Sequence, residues 1–318
     1  MLTFGPIPSR RLGRSLGINN IPPKYCSYFC VYCQIGTAIE IGTERRRFFQ
    51  PDQIIEEIKQ KIEQARVAGE TIDYLSFVPD GEPTLDLNLG KEIAEIKKIT
   101  NIPVAVITNS SLLWDNKVRE ELCQADWVSV KVDTINPEVW HKINHPSRKL
   151  DLDQIIKGTF SFAAEFKGKL MTETMLIRNM NDSASILQQN AEFIARLNPD
   201  TAFLGIPTRP PARSSGQPPQ EDAIALAYQI YAQKVSHVET LLGYEGNAFA
   251  ASGNPENDIL SITAVHPMRK DAVEDLLKNN NADWNVVNRL IEQDLLKEVK
   301  HSDHTFYLRK LKKKSQQS

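Results

Sequence analysis

Tyr25-Cys26-Ser27-Tyr28-Phe29-Cys30-Val31-Tyr32-Cys33 carries three thiols at C-x3-C-x2-C spacing, and no fourth cysteine lies near them. A cube of four irons normally takes four thiolates, so three from one tight loop leave the last iron to hold something other than protein. A structural zinc ion is the plainer use of clustered cysteines, but it needs four ligands. The remaining cysteine ends the run Asn116-Lys117-Val118-Arg119-Glu120-Glu121-Leu122-Cys123. That run reads as an amphipathic helix with Val118 and Leu122 inward, where a lone cysteine serves as a small apolar side chain. The loop is therefore expected to bind an iron-sulfur cluster with one open iron.

Outward from the loop, short β-type runs alternate with amphipathic helical segments for most of the chain, the pattern of βα units on a parallel sheet. Helices are expected at 52–68, 89–99, 116–124, 153–165 and 186–197. The first has Pro51 ahead of it and Ile54, Ile55, Ile58 and Ile62 on one face. Strands are expected at 74–78, 104–108, 127–132, 170–176 and 202–206, and a first strand ahead of Cys26 makes about six units. The proline-rich stretch 207–216 reads as an ordered loop or linker, and 221–237 as a helix. Past residue 254 come helices at 270–278 and 283–292, then β-runs at 296–300 and 305–308, the order of a winged helix-turn-helix. The expected divisions are 1–250, 255–310 and a basic tail at 311–318.

With 318 residues, 41% apolar and 25% charged, the chain has ordinary globular composition and ample core. A net charge of -2 speaks against attraction of the whole protein to nucleic acid, although Arg309-Lys310-Leu311-Lys312-Lys313-Lys314 is locally cationic. The N-terminal run lacks a signal-peptide pattern and no apolar stretch approaches bilayer length. Four cysteines, three of them clustered, make no disulfide framework and suit a reducing compartment. A soluble cytoplasmic protein with no membrane partner is expected.

Cys26-x3-Cys30-x2-Cys33, with Tyr32 just before the last cysteine, resembles the cluster loop of radical S-adenosylmethionine (SAM) enzymes. The resemblance implies an α/β fold, a partial (βα)6 barrel, here followed by a small C-terminal winged helix-turn-helix. It also implies a [4Fe-4S] cluster on the three cysteines, whose open iron is chelated by the amino and carboxylate groups of SAM. One-electron transfer from an external donor of flavodoxin or ferredoxin type then cleaves SAM to methionine and a 5′-deoxyadenosyl radical. Pro79-Asp80-Gly81-Glu82-Pro83-Thr84, one unit further on, is similar to the family's Gly-Gly-Glu-Pro element, with Asp80 where the first glycine often stands. Gly81 would let the backbone come close to the SAM amino group, and Pro83 would fix the turn. The same residues also make an ordinary strand-to-helix turn.

Other cofactor-binding candidates sit at strand ends, where such folds gather active groups. Thr108-Asn109-Ser110 resembles the family's Thr-Asn-Gly-Ser turn, and equally suits an Asn turn with local bonds. In Trp127-Val128-Ser129-Val130-Lys131-Val132-Asp133, alternation sends the valines to the helix layer and Ser129, Lys131 and Asp133 inward. Lys131 then needs compensation by Asp133 or a SAM carboxylate; a structural ion pair is the alternative. Within Thr172-Glu173-Thr174, Glu173 is favoured inward, partnered by ribose hydroxyls or a nearby Arg or Lys, while the other register would turn in the threonines.

Gly5-Pro6-Ile7-Pro8-Ser9-Arg10-Arg11-Leu12-Gly13-Arg14-Ser15-Leu16-Gly17-Ile18 and Gly205-Ile206-Pro207-Thr208-Arg209-Pro210-Pro211 resemble a radical SAM group related to the wyosine-base synthases, which rebuild a guanine in tRNA. Those synthases carry a second cluster on further cysteines, and only Cys123 is left over, so their reaction does not transfer. Arg10, Arg11, Arg14 and Arg209 could grip phosphate or carboxylate, or serve as solvated or structural arginines. The C-terminal unit could contact RNA or a protein, although Asp283-Trp284-Asn285-Val286-Val287-Asn288-Arg289-Leu290-Ile291-Glu292 is not basic as a groove reader generally is. An iron-sulfur redox sensor that binds nucleic acid is the alternative from a different class, and a plain electron carrier a third; both leave the barrel unexplained. No residue stands out as the hydrogen-atom donor, and the substrate is not named by any motif.

Overall fold

The computed structural model describes residues 2–34, 40–211, 213–242, 254–265, 267–301 and 303–310. The basic tail expected at 311–318 lies outside the described residues. The chain opens with an antiparallel hairpin, β1 (Thr3–Ser9) and β2 (Gly13–Ile18). A short parallel pair, β3 (Tyr25–Cys26) and β4 (Glu40–Ile41), brackets the cysteine loop. Then follow α1 (Pro51–Val67), β5 (Tyr74–Phe77), α2 (Leu89–Ile99), β6 (Val104–Thr108), α3 (Asn116–Leu122), β7 (Trp127–Lys131), α4 (Pro137–Asn144), α5 (Leu152–Glu165), β8 (Lys169–Met175), α6 (Ala184–Leu197), β9 (Thr201–Gly205), α7 (Glu221–Ala232) and β10 (Val238–Leu241).

The main sheet runs β1-β2-β5-β6-β7-β8-β9-β10, parallel from β2 onward with β1 antiparallel at its edge. It is a curled half-barrel. Leu12 of the hairpin turn and Leu241 of β10, from opposite edges, meet in one apolar cluster with Ala105, Trp127, Met171 and Phe203. The outer face is the main core, where Val128, Val130 and Val132 pack with α1 residues Ile54, Ile55 and Ile58 and with α5 and α6 residues Phe162 and Ile194. Period-2 alternation thus puts valines under the helices and leaves Ser129 and Lys131 for the concave side.

The strand expected ahead of Cys26 is β2, which pairs parallel with β5 and carries β1 as an added antiparallel edge. One expectation needs correction: the helix expected at 221–237 ends at Ala232. Beyond a turn, β-branched Val238 and Thr240 pair with β9 as β10, a seventh parallel strand where six units were counted. Two helices were not expected: α4, amphipathic but short, and α8 (Pro255–Val265), which lies past the proline-rich loop and carries little apolar periodicity. After α8 come β11 (Met268–Arg269), α9 (Lys270–Asn279), α10 (Asn285–Glu292), β12 (Leu296–His301) and β13 (His304–Arg309), in an antiparallel sheet of order β11-β13-β12. These elements bury their own cluster, including Leu276, Val287, Leu290 and Tyr307, against which Ile7 of β1 packs. No helix among the described residues is long and apolar enough to cross a membrane.

Candidate active site

The cysteine loop is held by its aromatic and branched residues, which leaves the thiols half-buried. Tyr28 packs edge-on against Trp140 of α4 and accepts a hydrogen bond from its indole N–H at 3.2 Å. Val31 and Tyr32 are buried. The C-terminal end of α4 supplies carbonyls to the loop: Phe29 N–H donates to Asn144 O and Val31 N–H to Ile143 O, both at 2.8 Å. These are orphan acceptors of a helix end, used here to clamp the loop. The Asn144 side chain goes further, donating to Cys30 Sγ at 3.3 Å and Asp133 Oδ2 at 2.7 Å. Asn109 Nδ2 lies 3.5 Å from Cys26 Sγ and 2.9 Å from Ser27 Oγ.

Burial pushes the Cys26 thiol above its ordinary range and that of Cys30 up to about 12, where the charge of Asp133 adds to the effect and the Asn144 amide opposes it. Such thiols are inert at neutral pH unless a metal draws off their protons. The donor set, three soft sulfurs on one loop with two amides bonded to them, fits an iron-sulfur cluster. A structural zinc ion would need a fourth ligand beyond these three. Cys123 lies just past α3, packed on the main core as expected.

The Asp-Gly-Glu-Pro turn abuts this loop directly. Gly81 bridges Tyr25, and Glu82 N–H donates to Tyr25 O at 3.2 Å. A β-carbon on Gly81 would sit 2.9 Å from the Tyr25 carbonyl carbon and closer still to its oxygen. The close backbone approach expected at Gly81 is therefore made by the cysteine loop itself. Glu82 is 1% exposed and binds the next strand end: Thr84 N and Oγ1 donate to Oε1 at 3.1 and 2.6 Å, Thr108 Oγ1 to Oε1 at 2.6 Å, and Asn109 N–H to Oε2 at 2.6 Å. Burial raises its pKa, and these donors work against the rise. Pro83 opens the 3-10 turn Pro83–Leu85 that follows. Gly81, Glu82, Pro83, Thr108 and Asn109 thus form one continuous shelf beside Cys26.

Across the lumen, Lys131 and Glu173 stand opposite each other in the parallel β7–β8 register, Nζ to Oε1 at 3.1 Å. Glu173 Oε2 is bound by Arg11 from the hairpin turn. Burial would raise Glu173, but Arg11, Lys131 and Arg10 outweigh it and hold the carboxyl down to about 2. Lys131 stays above its ordinary value because Glu173 and Asp133 overcome its burial. The compensating group is thus Glu173, and Asp133 has other duties: it accepts from the Tyr32 hydroxyl, Asn144 Nδ2 and, at 2.9 Å, Met175 N–H. Thr172 and Thr174 face the other way, Thr174 donating to Val132 O at 2.8 Å.

A cavity of about 290 Å³ opens on the side of Lys131 and Glu173, lined among others by Arg10, Arg11, Cys33, Asp80 and Arg209, while Gly81, Glu82, Pro83, Thr108 and Asn109 lie outside its lining. Asp80 is 3% exposed with Oδ1 unbonded, and burial pushes it up to about 8 against the fields of Lys24 and Arg309. The proline-rich stretch is an ordered loop against the cysteines: Arg209 Nη1 donates to Gln34 at 3.0 Å, Arg213 N–H to Val31 O at 3.2 Å, and the Arg213 guanidinium covers the Phe29 ring at 4.7 Å. Arg14 points elsewhere, paired with Glu70 at 3.0 Å. Sequence reading missed Asn144, although Asn136-Pro137 is a capped helix start that could have revealed α4.

A curled parallel sheet with three loop thiols at its mouth defines a class, and sequence comparison agrees: the chain belongs to the radical SAM superfamily, whose family model matches residues 20–187. It is an iron-sulfur enzyme whose cofactors are a [4Fe-4S] cluster and SAM. Its relatives include UPF0026 proteins; that of Methanocaldococcus jannaschii is 41% identical over 313 residues, 98% of this chain and 97% of the relative. Among solved structures, a radical SAM methyltransferase from Sphaerobacter thermophilus aligns with TM-score 0.54 at 18% identity, over 74% of this chain and 69% of that one. Streptococcus suis SuiB bound to S-adenosylmethionine aligns at 0.51 and 14%, over 77% and 51%. Both likenesses are of fold.

Proposed function

We propose that Cys26, Cys30 and Cys33 ligate three irons of the [4Fe-4S] cluster and that the enzyme uses SAM to modify a substrate held in the lumen. The observation that carries this reading is the direct docking of the cysteine loop, through Tyr25, on the Gly81–Glu82 turn, next to Asp80 and Cys33 of the cavity wall. When bound, the cofactor pair supplies reductive cleavage of SAM to methionine and a 5′-deoxyadenosyl radical. The chain's own residues orient and enclose it. The backbone of Gly81, Glu82 and Pro83 forms the ledge for the SAM amino group, with Glu82 fixing Thr108 and Asn109 beside it. Lys131 and Glu173 form the opposite polar wall. Asp133, tied to Tyr32 and Asn144, braces the cysteine loop behind it.

The electron comes from an external one-electron carrier of flavodoxin or ferredoxin type, in a reducing, cytoplasmic setting that suits three thiols outside any disulfide. Residues 1–250 make up the catalytic unit and 255–310 a winged-helix unit, a reading supported by the element order α8-β11-α9-α10-β12-β13 and its separate apolar cluster. That unit is suited to contact RNA or a protein. Reconstituted anaerobically and reduced with dithionite, the chain should bind about four irons and form 5′-deoxyadenosine from SAM. Alanine at any of the three loop cysteines should abolish both, while Cys123→Ala should keep them. A cluster-loaded chain that never cleaves SAM would sink the proposal.

A further inference from the structure

Asn144 ends α4 against the cysteine loop and is buried there. Its main chain and its side chain hold different partners. The carbonyl takes the Phe29 N–H, whereas the side-chain amide donates to Cys30 Sγ at 3.3 Å and to Asp133 Oδ2 at 2.7 Å. A thiolate and a carboxylate have no hydrogen to offer, so only the NH2 end of the amide can face them; turned over, its oxygen would oppose both. Asp133 is fixed in turn, accepting from the Tyr32 hydroxyl and, at 2.9 Å, from Met175 N–H. It anchors the amide from behind, so that one N–H stays aimed at the sulfur.

Cys26 is served differently: the Asn109 amide lies 3.5 Å from its Sγ and bonds Ser27 Oγ more closely, at 2.9 Å. An electron added to an iron-sulfur cluster places negative charge on its sulfurs. A donor aimed at one of them therefore stabilises the reduced state more than the oxidised one and raises the reduction potential. Low surrounding polarity strengthens the effect, and Tyr28, Val31 and Tyr32 are buried round this part of the loop.

We infer that Asn144 tunes the reduction potential of the cluster, its N–H on Cys30 Sγ making the cluster easier for the external one-electron carrier to reduce. One electron passes to the cluster and the carrier is oxidised; no covalent bond changes. This role rests on the ligation proposed for Cys26, Cys30 and Cys33.

The test uses the full chain, reconstituted anaerobically without SAM, with the midpoint potential read by redox titration followed by EPR. Asn144→Leu, similar in shape but without a donor, should lower the reduction constant about tenfold, or about 59 mV for one electron. Asn144→Gln should recover part of that shift, and Asn136→Ala, which loosens α4 but keeps the amide, should move the potential far less. Dithionite should then reduce a smaller fraction of Asn144→Leu than of wild type, while the stronger reductant titanium(III) citrate reduces both. If Asn144→Leu does not load its cluster, Asn144→Asp, of the same shape with fewer donors, takes its place and should shift the same way. Resonance Raman needs no variant: the iron–thiolate stretches of wild type should move in D2O, and no movement overturns the role. An unchanged potential without the amide also overturns it, as does an equal shift in Asn136→Ala, which would make the effect one of loop loosening. A wild type that takes up no iron fails the ligation reading and this role with it, whereas a loaded wild type whose potential is indifferent to residue 144 fails this role alone.

Discussion

Gly81 is the residue on which loop and turn depend together. Any β-carbon there meets the Tyr25 backbone, which cannot swing aside as a side chain tip could. Gly81→Ala should therefore cost roughly 1–3 kcal/mol and lower iron retention, checked by thermal unfolding and iron per chain; an equally stable, fully loaded variant would contradict the docking. Its neighbour Asp80 has a different signature. With its folded pKa pushed up to about 8 from the usual carboxylate range, the folded chain holds a proton that the unfolded chain has lost. This contribution to stability is fully present below about pH 4 and declines as pH climbs towards 8. Asp80→Asn should flatten that decline, gaining melting temperature over wild type at pH 9 but not at pH 4.

Among the elements, α4 matters beyond its length. Asn136 accepts from Val139 N–H at 3.1 Å at its start, Pro137 fits its first turn, and its far end grips Phe29 and Val31. Asn136→Ala should cost about 1 kcal/mol and speed amide exchange at Phe29 and Val31, a coupling that native-state hydrogen exchange reads directly. An α4 that frays without loosening those amides would mean the loop is held by its own packing alone. The long helices and five of the parallel strands were legible because periodicity spans whole elements: Ile54, Ile55 and Ile58 mark a face, and Val128, Val130 and Val132 another. β10 was not, because four residues next to a helix end show strand character only once β9 offers them a partner.

For the whole molecule, the smaller cluster of buried side chains is separate from the main core and meets the half-barrel at β1, where Ile7 packs against it. Leu276, fully buried in the smaller cluster, is a probe of their independence. Leu276→Ala should destabilise that unit by about 2–5 kcal/mol and leave the half-barrel transition in place, as scanning calorimetry would show; a single transition shifted as a whole would mean that the two unfold as one. What the amino-acid order carries locally survived intact: the thiol spacing of Cys26, Cys30 and Cys33 and the Asp80–Thr84 turn depend on neighbours a few positions away. Partner choice did not. Glu173 rather than Asp133 answers Lys131 because β7 and β8 pair in register, and Arg11 reaches Glu173 across 162 positions only because the hairpin folds back into a curled sheet. Such long-range pairs arise from how the sheet closes, and closure is a property of all its strands together rather than of any one segment.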